Sequence, residues 1–326
     1  MNPHSREVGV SGLFLLDVCR RVRATRGAAH GWTSVLRRCA PASDGLAGCS
    51  TRAANSAIPV GHNGFVSTVA VIGDVGGHVG QLRDALASLG VTASSWPVDL
   101  EVVQLGDLVG GNDDMAAVEL VGPHLFAGRW TQLVGNWELR AVGGPAVVNS
   151  KGREADADAL QAFASWNESG LIHSATTVTS STGSTGVVTH AGIGYNFWSS
   201  DLGGQRDPVR VAARLNTMPI TQVARPGSMF GQPNERAPGP IWTSTEELWS
   251  GWKVCPFPQI HGHSCAHSSR GWNEWVPEKL RQWATADRGH VTFKPSSKSS
   301  PIIGIDPGLW DRSPRHSLRP LVFHPD

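Results

Sequence analysis

The sequence predicts an α/β fold with a mainly parallel sheet and helices packed on its outside. From Phe65 onward, short apolar runs alternate with polar or glycine-rich segments. Most of these runs show no alternation of polar and apolar residues, which is typical of strands that are covered on both faces. A helical pattern stands between the first two runs, and a strand, a helix and a strand in this order form a right-handed βαβ unit.

The individual elements follow from the residue pattern. Segment 79–89 has an apolar residue at every third or fourth position, and Gly90 follows it. This spacing predicts an amphipathic helix of about three turns with the glycine as its C-terminal stop. Residues 200–250 are rich in Gly and Pro, which favours a long lid-like insertion. The predicted strands are residues 67–72, 100–105, 130–134, 186–189, 257–260, 301–306 and 319–323.

Composition and charge argue against two classes of partner. The chain has 28 Lys and Arg against 27 Asp and Glu, so it lacks the basic excess that draws a protein to nucleic acid or to an anionic membrane. Its apolar runs are far shorter than the ~20 residues of a membrane-spanning helix. We therefore expect no nucleic-acid partner and no membrane association. The length of 326 residues and the 40% hydrophobic content fit a soluble globular protein with a sizeable core.

Residues 1–65 differ from the rest of the chain. They carry eight arginines, no lysine and three acidic residues, and they show no sustained helical or strand period. An arginine-rich, acid-poor stretch also suits a targeting segment, but the short apolar patch at 13–16 follows no basic run and precedes no obvious small-residue cleavage site. We expect a disordered extension, followed by one domain over residues 66–326. The five cysteines form no CxxC pair, and their odd number predicts a reducing compartment such as the cytoplasm.

Ligand-type side chains stand at the ends of five predicted strands: Asp74, Asp107, Asn136, His190 and His263. Taken singly, a Gly-Asp at a strand end is more often a turn or a helix cap. The carboxyl ends of strands in an α/β sheet line a common crevice, so all five are expected to converge. Oxygen and imidazole donors together suit Mn, Fe or Zn better than Mg or Ca.

These five segments, in this order, resemble the motifs of the calcineurin-like metallophosphoesterases, the superfamily that includes the phosphoprotein phosphatases. The family patterns GDxHG, GDxxDRG, GNHE, a His before Ala-Gly or Gly-Gly, and a late GH stand here as Gly73-Asp-Val-Gly-Gly-His78, Gly106-Asp-Leu-Val-Gly-Gly-Asn112, Gly135-Asn-Trp-Glu138, Thr189-His-Ala-Gly192 and Gly262-His263. The resemblance covers about residues 66–326, and Asp306-Pro-Gly is similar to the family's closing Asp-Thr-Gly turn. It implies a central β-sandwich with flanking helices, in αββα layers.

The resemblance also implies one or two divalent metal ions and a role for each ligand. Asp107 would bridge both ions, Asp74 would hold the first, and Asn136, His190 and His263 would hold the second. The implied reaction is hydrolysis of a phosphomonoester, in a phosphoprotein or a small phosphorylated metabolite, by water activated between the ions.

The sequence departs from the family pattern at the first metal site. Gly76 stands where the first motif has a metal-binding His. His78 is the candidate substitute, reaching in through the flexible Gly76-Gly77 pair, although it can equally just begin the helix. His261 is a second candidate, or a partner that orients another ligand, because alternation along a strand puts it on the same face as His263.

Further departures affect catalysis and substrate binding. Trp137 replaces the His of GNHE, and an indole cannot act as an acid near neutral pH. Losing general acid catalysis typically costs about 10² to 10⁴ in rate. Gly110 and Gly111 replace an acid or His and the Arg that clamps phosphate. Candidate replacements for that clamp are Arg140, Arg206 and Arg210. Two functions therefore remain open: a slow metal-dependent phosphoesterase, or a weakened relative that binds a phosphorylated partner.

Overall fold

A computed structural model describes residues 67–92, 94–144, 154–227, 237–268, 271–274, 276–287, 289–309 and 317–324. The expected disordered extension over residues 1–65 lies outside the described residues, as do Cys19, Cys39 and Cys49. The strands are β1 (Thr68–Ile72), β2 (Leu100–Gln104), β3 (Trp130–Leu133), β4 (Ile172–His173), β5 (Ala175–Thr179), β6 (Thr185–Thr189), β7 (Gln259–His261), β8 (His267–Ser268), β9 (Gly271–Trp272), β10 (Ala284–Asp287), β11 (His290–Phe293), β12 (Ile302–Gly304) and β13 (Leu321–Phe323). The α-helices are α1 (Val79–Ser88), α2 (Asp114–Phe126), α3 (Ala157–Glu168), α4 (Tyr195–Ser200), α5 (Pro208–Thr217), α6 (Ile220–Val223), α7 (Thr245–Ser250) and α8 (Glu278–Arg281).

The first sheet has five strands in the order β13-β1-β2-β3-β4. Strands β1 to β4 are parallel to their neighbours, and β13 pairs with β1 in the antiparallel direction. Helices α1, α2 and α3 contribute Leu82, Val121 and Phe163 to a core that also contains Ile72 and Val102 of this sheet. One face of the first sheet is therefore covered by helices.

The second sheet has six strands in the order β10-β11-β12-β7-β6-β5. The parallel pairs β12-β7 and β7-β6 lie at its centre, and the flanking pairs are antiparallel. Helix α5 packs Val211 and Leu215 into a core that includes Val187 of β6. Helix α7 packs Trp249 against Phe293 of β11, with the two rings stacked 4.7 Å apart.

The remaining core lies between the two sheets. Val71 and Val103 of the first sheet share a buried cluster with Val188 and Ile260 of the second. Successive residues of β1 point to opposite faces, since Ile72 packs in the helix-facing core and Val71 packs between the sheets. The prediction of an α/β fold, a β-sandwich with flanking helices in αββα layers, is confirmed.

Two expectations from the residue pattern alone are wrong. The strands do not form one mainly parallel sheet, because strand order and pairing separate them into two mixed sheets. Residues 200–250 are not a long lid where they are described. They contain α5, α6 and α7, whose Val211, Val223 and Leu248 are buried.

The structure bears on two further expectations. Cys255 and Cys265, the cysteines within the described ranges, are free and buried. No helix in the described part of the chain combines the length and the apolar character needed to cross a bilayer.

Candidate metal centre

Both sheets supply side chains to one centre at the carboxyl ends of their strands. Asp74, Asp107 and Asn136 follow β1, β2 and β3 of the first sheet. His190 and His263 follow β6 and β7 of the second. The predicted crevice is therefore formed by two packed sheets instead of one.

Three of these residues form a compact cluster. The ligand atoms of Asp107, His190 and His263 all lie within 4.8 Å of one another. Asn136 Oδ1 lies between the two rings, 3.0 Å from His190 Nε2 and 2.9 Å from His263 Nδ1. His190 Nε2 is 3.6 Å from Asp107 Oδ1. One carboxylate, one amide oxygen and two imidazoles thus converge, and the carboxylate and imidazoles can hold a metal ion.

Two residues of the cluster have a strained backbone. Asp107 has φ of 53° and His263 has φ of 63°, and among the described residues they are the non-glycine residues with positive φ. This left-handed conformation costs roughly 1–2 kcal/mol for a residue with a side chain. Such strain persists where the surrounding structure fixes it, and it concentrates at functional sites.

Glycines next to the ligands allow the close approach of the loops. A Cβ atom on Gly262 would overlap Asp74 Oδ1. The amide of His263, the next residue, donates to both Asp74 oxygens at 3.0 Å. A Cβ on Gly135 would likewise overlap the backbone nitrogen and the carboxylate of Asp107. The glycines before Asn136 and His263 are therefore packing requirements of the centre.

Burial shifts the pKa of the acids and of the histidines in opposite directions. Removal from water, followed by the charges of nearby carboxylates, raises the pKa of Asp74 and Asp107 well above their usual range. Burial, with the charge of His263 next in size, holds the pKa of His190 well below its usual range. Burial, with a smaller contribution from the charge of His261, lowers the pKa of His263 to about 4. The imidazoles are therefore neutral at pH 7, as metal binding requires.

The hydrogen-bond geometry of His190 fits a cation. A neutral ring carries a single proton, but His190 faces acceptors on both sides. Its Nδ1 lies 3.1 Å from the carbonyl oxygen of Leu105, while its Nε2 faces the oxygens of Asn136 and Asp107. If Nδ1 donates to Leu105, the lone pair of Nε2 points at two oxygens, and a divalent cation between them removes the conflict. The mixed nitrogen and oxygen donors suit Mn, Fe or Zn.

Glu138 holds the loop that carries Asp107. It is fully buried and accepts hydrogen bonds from the backbone nitrogens of Asp107 (2.9 Å), Gly135 (2.8 Å) and Val109 (3.1 Å). Burial raises its pKa to about 7. Glu138 belongs to the third motif, but no role was predicted for it from the sequence.

The first metal site of the family pattern contains Gly76, and its two candidate replacement ligands, His78 and His261, have other contacts. Gly76 offers only its carbonyl oxygen, which accepts from Asn112 Nδ2 at 2.6 Å. His78 precedes α1, and its Nε2 lies 3.3 Å from the same Asn112 nitrogen. His261 Nδ1 lies 3.0 Å from the oxygen of Gly262, and its ring fills the space left by the missing side chain of Gly304. The ligand roles of all six predicted residues stay predictions: Asp74, His78, Asp107, Asn136, His190 and His263.

The other departures from the family pattern have structural explanations. The Trp137 side chain packs against the helix-facing core of the first sheet, while its backbone nitrogen donates to Asp107 Oδ1 at 3.0 Å. The backbone nitrogen of Gly110 donates to Asp114 Oδ1 at 2.9 Å. The backbone nitrogen of Gly111 donates to both Asp114 oxygens, at 3.1 Å to Oδ1 and 3.0 Å to Oδ2. This carboxylate occupies the backbone amides at the two positions where the family's acid or His and its Arg are missing.

The three arginines proposed as a phosphate clamp lie on the surface. Arg140 and Arg206 are exposed. Arg210 is exposed as well, and its Nε lies 3.5 Å from Asp207 Oδ2 within the same helical turn. An aromatic residue that the sequence did not connect with the centre, Trp242, contacts the ring of His263 edge-on at 5.5 Å.

Comparisons with known proteins find similarity among solved structures. No family model matches the chain, and no curated protein matches it. Among solved structures, the chain is similar to one described as "a putative diadenosine tetraphosphatase", with 15% identity over 82% of this chain and 96% of that chain and a TM-score of 0.40. At this TM-score the likeness decides neither the family nor the substrate.

Proposed function

We propose that this chain is a metal-dependent phosphoesterase of the calcineurin-like type that hydrolyses a phosphomonoester. The observation that carries the proposal is the convergence of Asp107, His190 and His263 within 4.8 Å, from strands of two different sheets. When bound, a divalent cation at such a centre lowers the pKa of water and polarises phosphoryl oxygens.

The residues of the chain orient the centre and keep its two imidazoles free of extra protons. The backbone nitrogen of Trp137 fixes one oxygen of Asp107, and the carbonyl of Leu105 fixes the ring of His190. The amide of His263 holds the carboxylate of Asp74 beside the cluster. The His190 ring is fully buried and the His263 ring is partly buried, and both are neutral, so they offer lone pairs at neutral pH without competition from protons.

The proposed substrate is a phosphoprotein or a small phosphorylated metabolite. A nearly balanced charge, 28 basic against 27 acidic residues, gives no reason to expect nucleic acid or a membrane as partner. We further propose a cytoplasmic location and a cation drawn from Mn, Fe and Zn, with one or two ions bound.

A weakened relative that binds a phosphorylated partner is the second candidate. It is favoured by the packing of Trp137 against the core, which leaves the expected proton donor without a replacement at that position. The exposed positions of Arg140, Arg206 and Arg210 favour it as well, because a phosphate clamp has to face the centre.

The experiment is metal analysis of the purified protein together with hydrolysis of an aryl phosphate in the presence of added Mn. Asp107→Asn removes the carboxylate of the cluster, and the matched control, Asp84→Asn, changes an exposed acid on α1. We expect Asp107→Asn to lower both bound metal and hydrolysis by roughly 100-fold or more, and Asp84→Asn to leave them unchanged. Bound metal with equal residual hydrolysis in wild type and Asp107→Asn would leave only the binding function. Wild-type protein without bound metal would refute the metal centre.

A further inference from the structure

A run of buried polar side chains crosses the first sheet on its helix-facing side. Gln104 on β2 and Gln132 on β3 are both fully buried, and they are direct partners in the parallel register. Gln132 Nε2 donates to Gln104 Oε1, and Trp130 Nε1 donates to Gln132 Oε1 at 3.0 Å. Polar groups this deeply buried occur where their hydrogen bonds serve a specific purpose, because burying an amide without partners is costly.

Gln104 uses its whole amide on two strand ends. Its Nε2 donates to the carbonyl oxygen of Gly73 at 3.1 Å and to that of Gly106 at 2.7 Å. Its Oε1 accepts from the backbone nitrogen of Gly106 at 2.9 Å, in addition to the bond from Gln132. Both amide hydrogens and the oxygen are therefore occupied, and one side chain ties the end of β1 to the end of β2.

The two glycines that Gln104 holds come directly before Asp74 and Asp107. Gly106 has φ of 100°, and Asp107 itself has φ of 53°, so the chain turns sharply at this point. Regular pairing cannot fix these peptide groups, because β1 and β2 end at Ile72 and Gln104. The side chain of Gln104 supplies the hydrogen bonds that the sheet no longer provides.

We infer that Gln104 is a positioning residue for the candidate metal centre, which sets the separation and direction of Asp74 and Asp107. The inference rests on the proposed function, since it assigns both carboxylates to metal. Gln132 has no such position. Among the described residues, its amide bonds the carbonyl of Leu133, at 2.8 Å on its own strand, besides Gln104 and Trp130.

The test compares Gln104→Met with Gln132→Met, two substitutions of the same type at equally buried, adjacent sites. The dissociation constant for Mn is measured by titration calorimetry on the full chain, and thermal unfolding is followed on the same samples. We expect both variants to unfold at lower temperature than wild type. We expect Gln104→Met to weaken Mn binding by about 10- to 100-fold, and Gln132→Met to weaken it by less than about 3-fold.

A further variant separates positioning from general stability. Gln104→Asn keeps an amide on a shorter side chain, so it also serves if Gln104→Met does not fold. We expect Gln104→Asn to bind Mn with an affinity between those of wild type and Gln104→Met. If Gln104→Met does not fold, we expect Gln104→Asn to bind Mn at least about 10-fold more weakly than wild type. Equal loss of affinity in the variants at positions 104 and 132, at equal loss of unfolding temperature, would overturn the inference and leave the proposed function intact. Wild-type protein that binds none of Mn, Fe and Zn would overturn both.

Discussion

Removing the ionisable group of His261 should make the metal-free protein less sensitive to acid. The side chain is 1% exposed, and within the described residues its Nε2 has no hydrogen-bond partner. Burial lowers its pKa to about 4. In the unfolded chain its pKa is about 6.5, so the unfolded state binds more protons between these two values. Stability contributed by the neutral ring is therefore present above about pH 6.5 and is lost as the pH falls toward 4.

The size of the effect follows from the two pKa values. At about pH 5 the unfolded ring is almost fully protonated and the folded ring is mostly neutral, which costs the folded state about 2 kcal/mol relative to pH 7. His263, with a pKa also lowered to about 4, adds a loss of the same sign. Asp74 and Asp107 act in the opposite direction, because their raised pKa lets the folded state gain protons as the pH falls. Only a difference between variants therefore isolates His261.

The assay is urea unfolding of chelator-treated protein at about pH 7 and about pH 5, for wild type and for His261→Asn. The asparagine removes the titrating ring and retains a donor for the oxygen of Gly262, which lies 3.0 Å from His261 Nδ1. We expect the loss of unfolding free energy between the two pH values to be about 2 kcal/mol smaller in the variant. The matched control, His324→Asn, removes an exposed histidine and should keep the wild-type loss. An equal loss in wild type and His261→Asn would refute the reasoning.

Two further substitutions test the packing around the centre. Gly262→Ala places a methyl group against Asp74 Oδ1, and we expect it to weaken Mn binding at least about 10-fold in a calorimetric titration. Gly80→Ala is the control, because an added Cβ at Gly80 meets nothing within 4 Å, and we expect it to leave Mn binding unchanged. Equal affinities in the two variants would contradict this account of Gly262. Trp137→His removes an indole that packs against the helix-facing core, so it should lower the unfolding free energy by about 1–3 kcal/mol without raising aryl phosphate hydrolysis. Higher hydrolysis with unchanged stability would mean that position 137 faces the substrate.

The strands and their polar ends could be predicted because their signal is local. The predicted strands, residues 67–72 and 100–105, are short and largely apolar, and each is followed directly by a glycine and an aspartate. Helix α1 was predictable for the same reason, since its apolar residues recur with the helical period. The observed bounds, Val79–Ser88, differ from the predicted 79–89 by one residue.

The division into two sheets could not be predicted, because it depends on pairing between distant segments. Val71 pairs with Leu321, and Ile260 pairs with Ile303 on one side and Val188 on the other. A five-residue apolar run contains no information on which of the two sheets the strand joins. The side chains at the strand ends nevertheless lie close together as expected, because the carboxyl ends of both sheets' central strands meet at the same edge. Their roles as ligands stay predictions.

Other features were missed although the sequence contained a signal. Asp207 followed by Pro208 marks a helix start, and its carboxylate caps α5 by accepting from Val209 and Arg210, at 2.9 and 3.4 Å. The high glycine and proline content on both sides of α5 favoured a loop over this region, so the helix was not predicted. Gln104 and Gln132 are polar residues inside apolar strands, and a buried polar residue is the informative exception in a core.

The energetics of the centre point to a cation more strongly than the resemblance of the motifs does. The same buried environment disfavours the charged form of Asp107 and the protonated form of His190, and it holds Asp107 and His263 in a left-handed conformation. A divalent cation favours the ionised carboxylate of Asp107 and binds the neutral form of His190 that burial already favours, so one ion offsets the cost of burying the carboxylate charge. Hydrogen bonds alone offer no comparable reason for two sheets to hold strained, poorly solvated donors against one another.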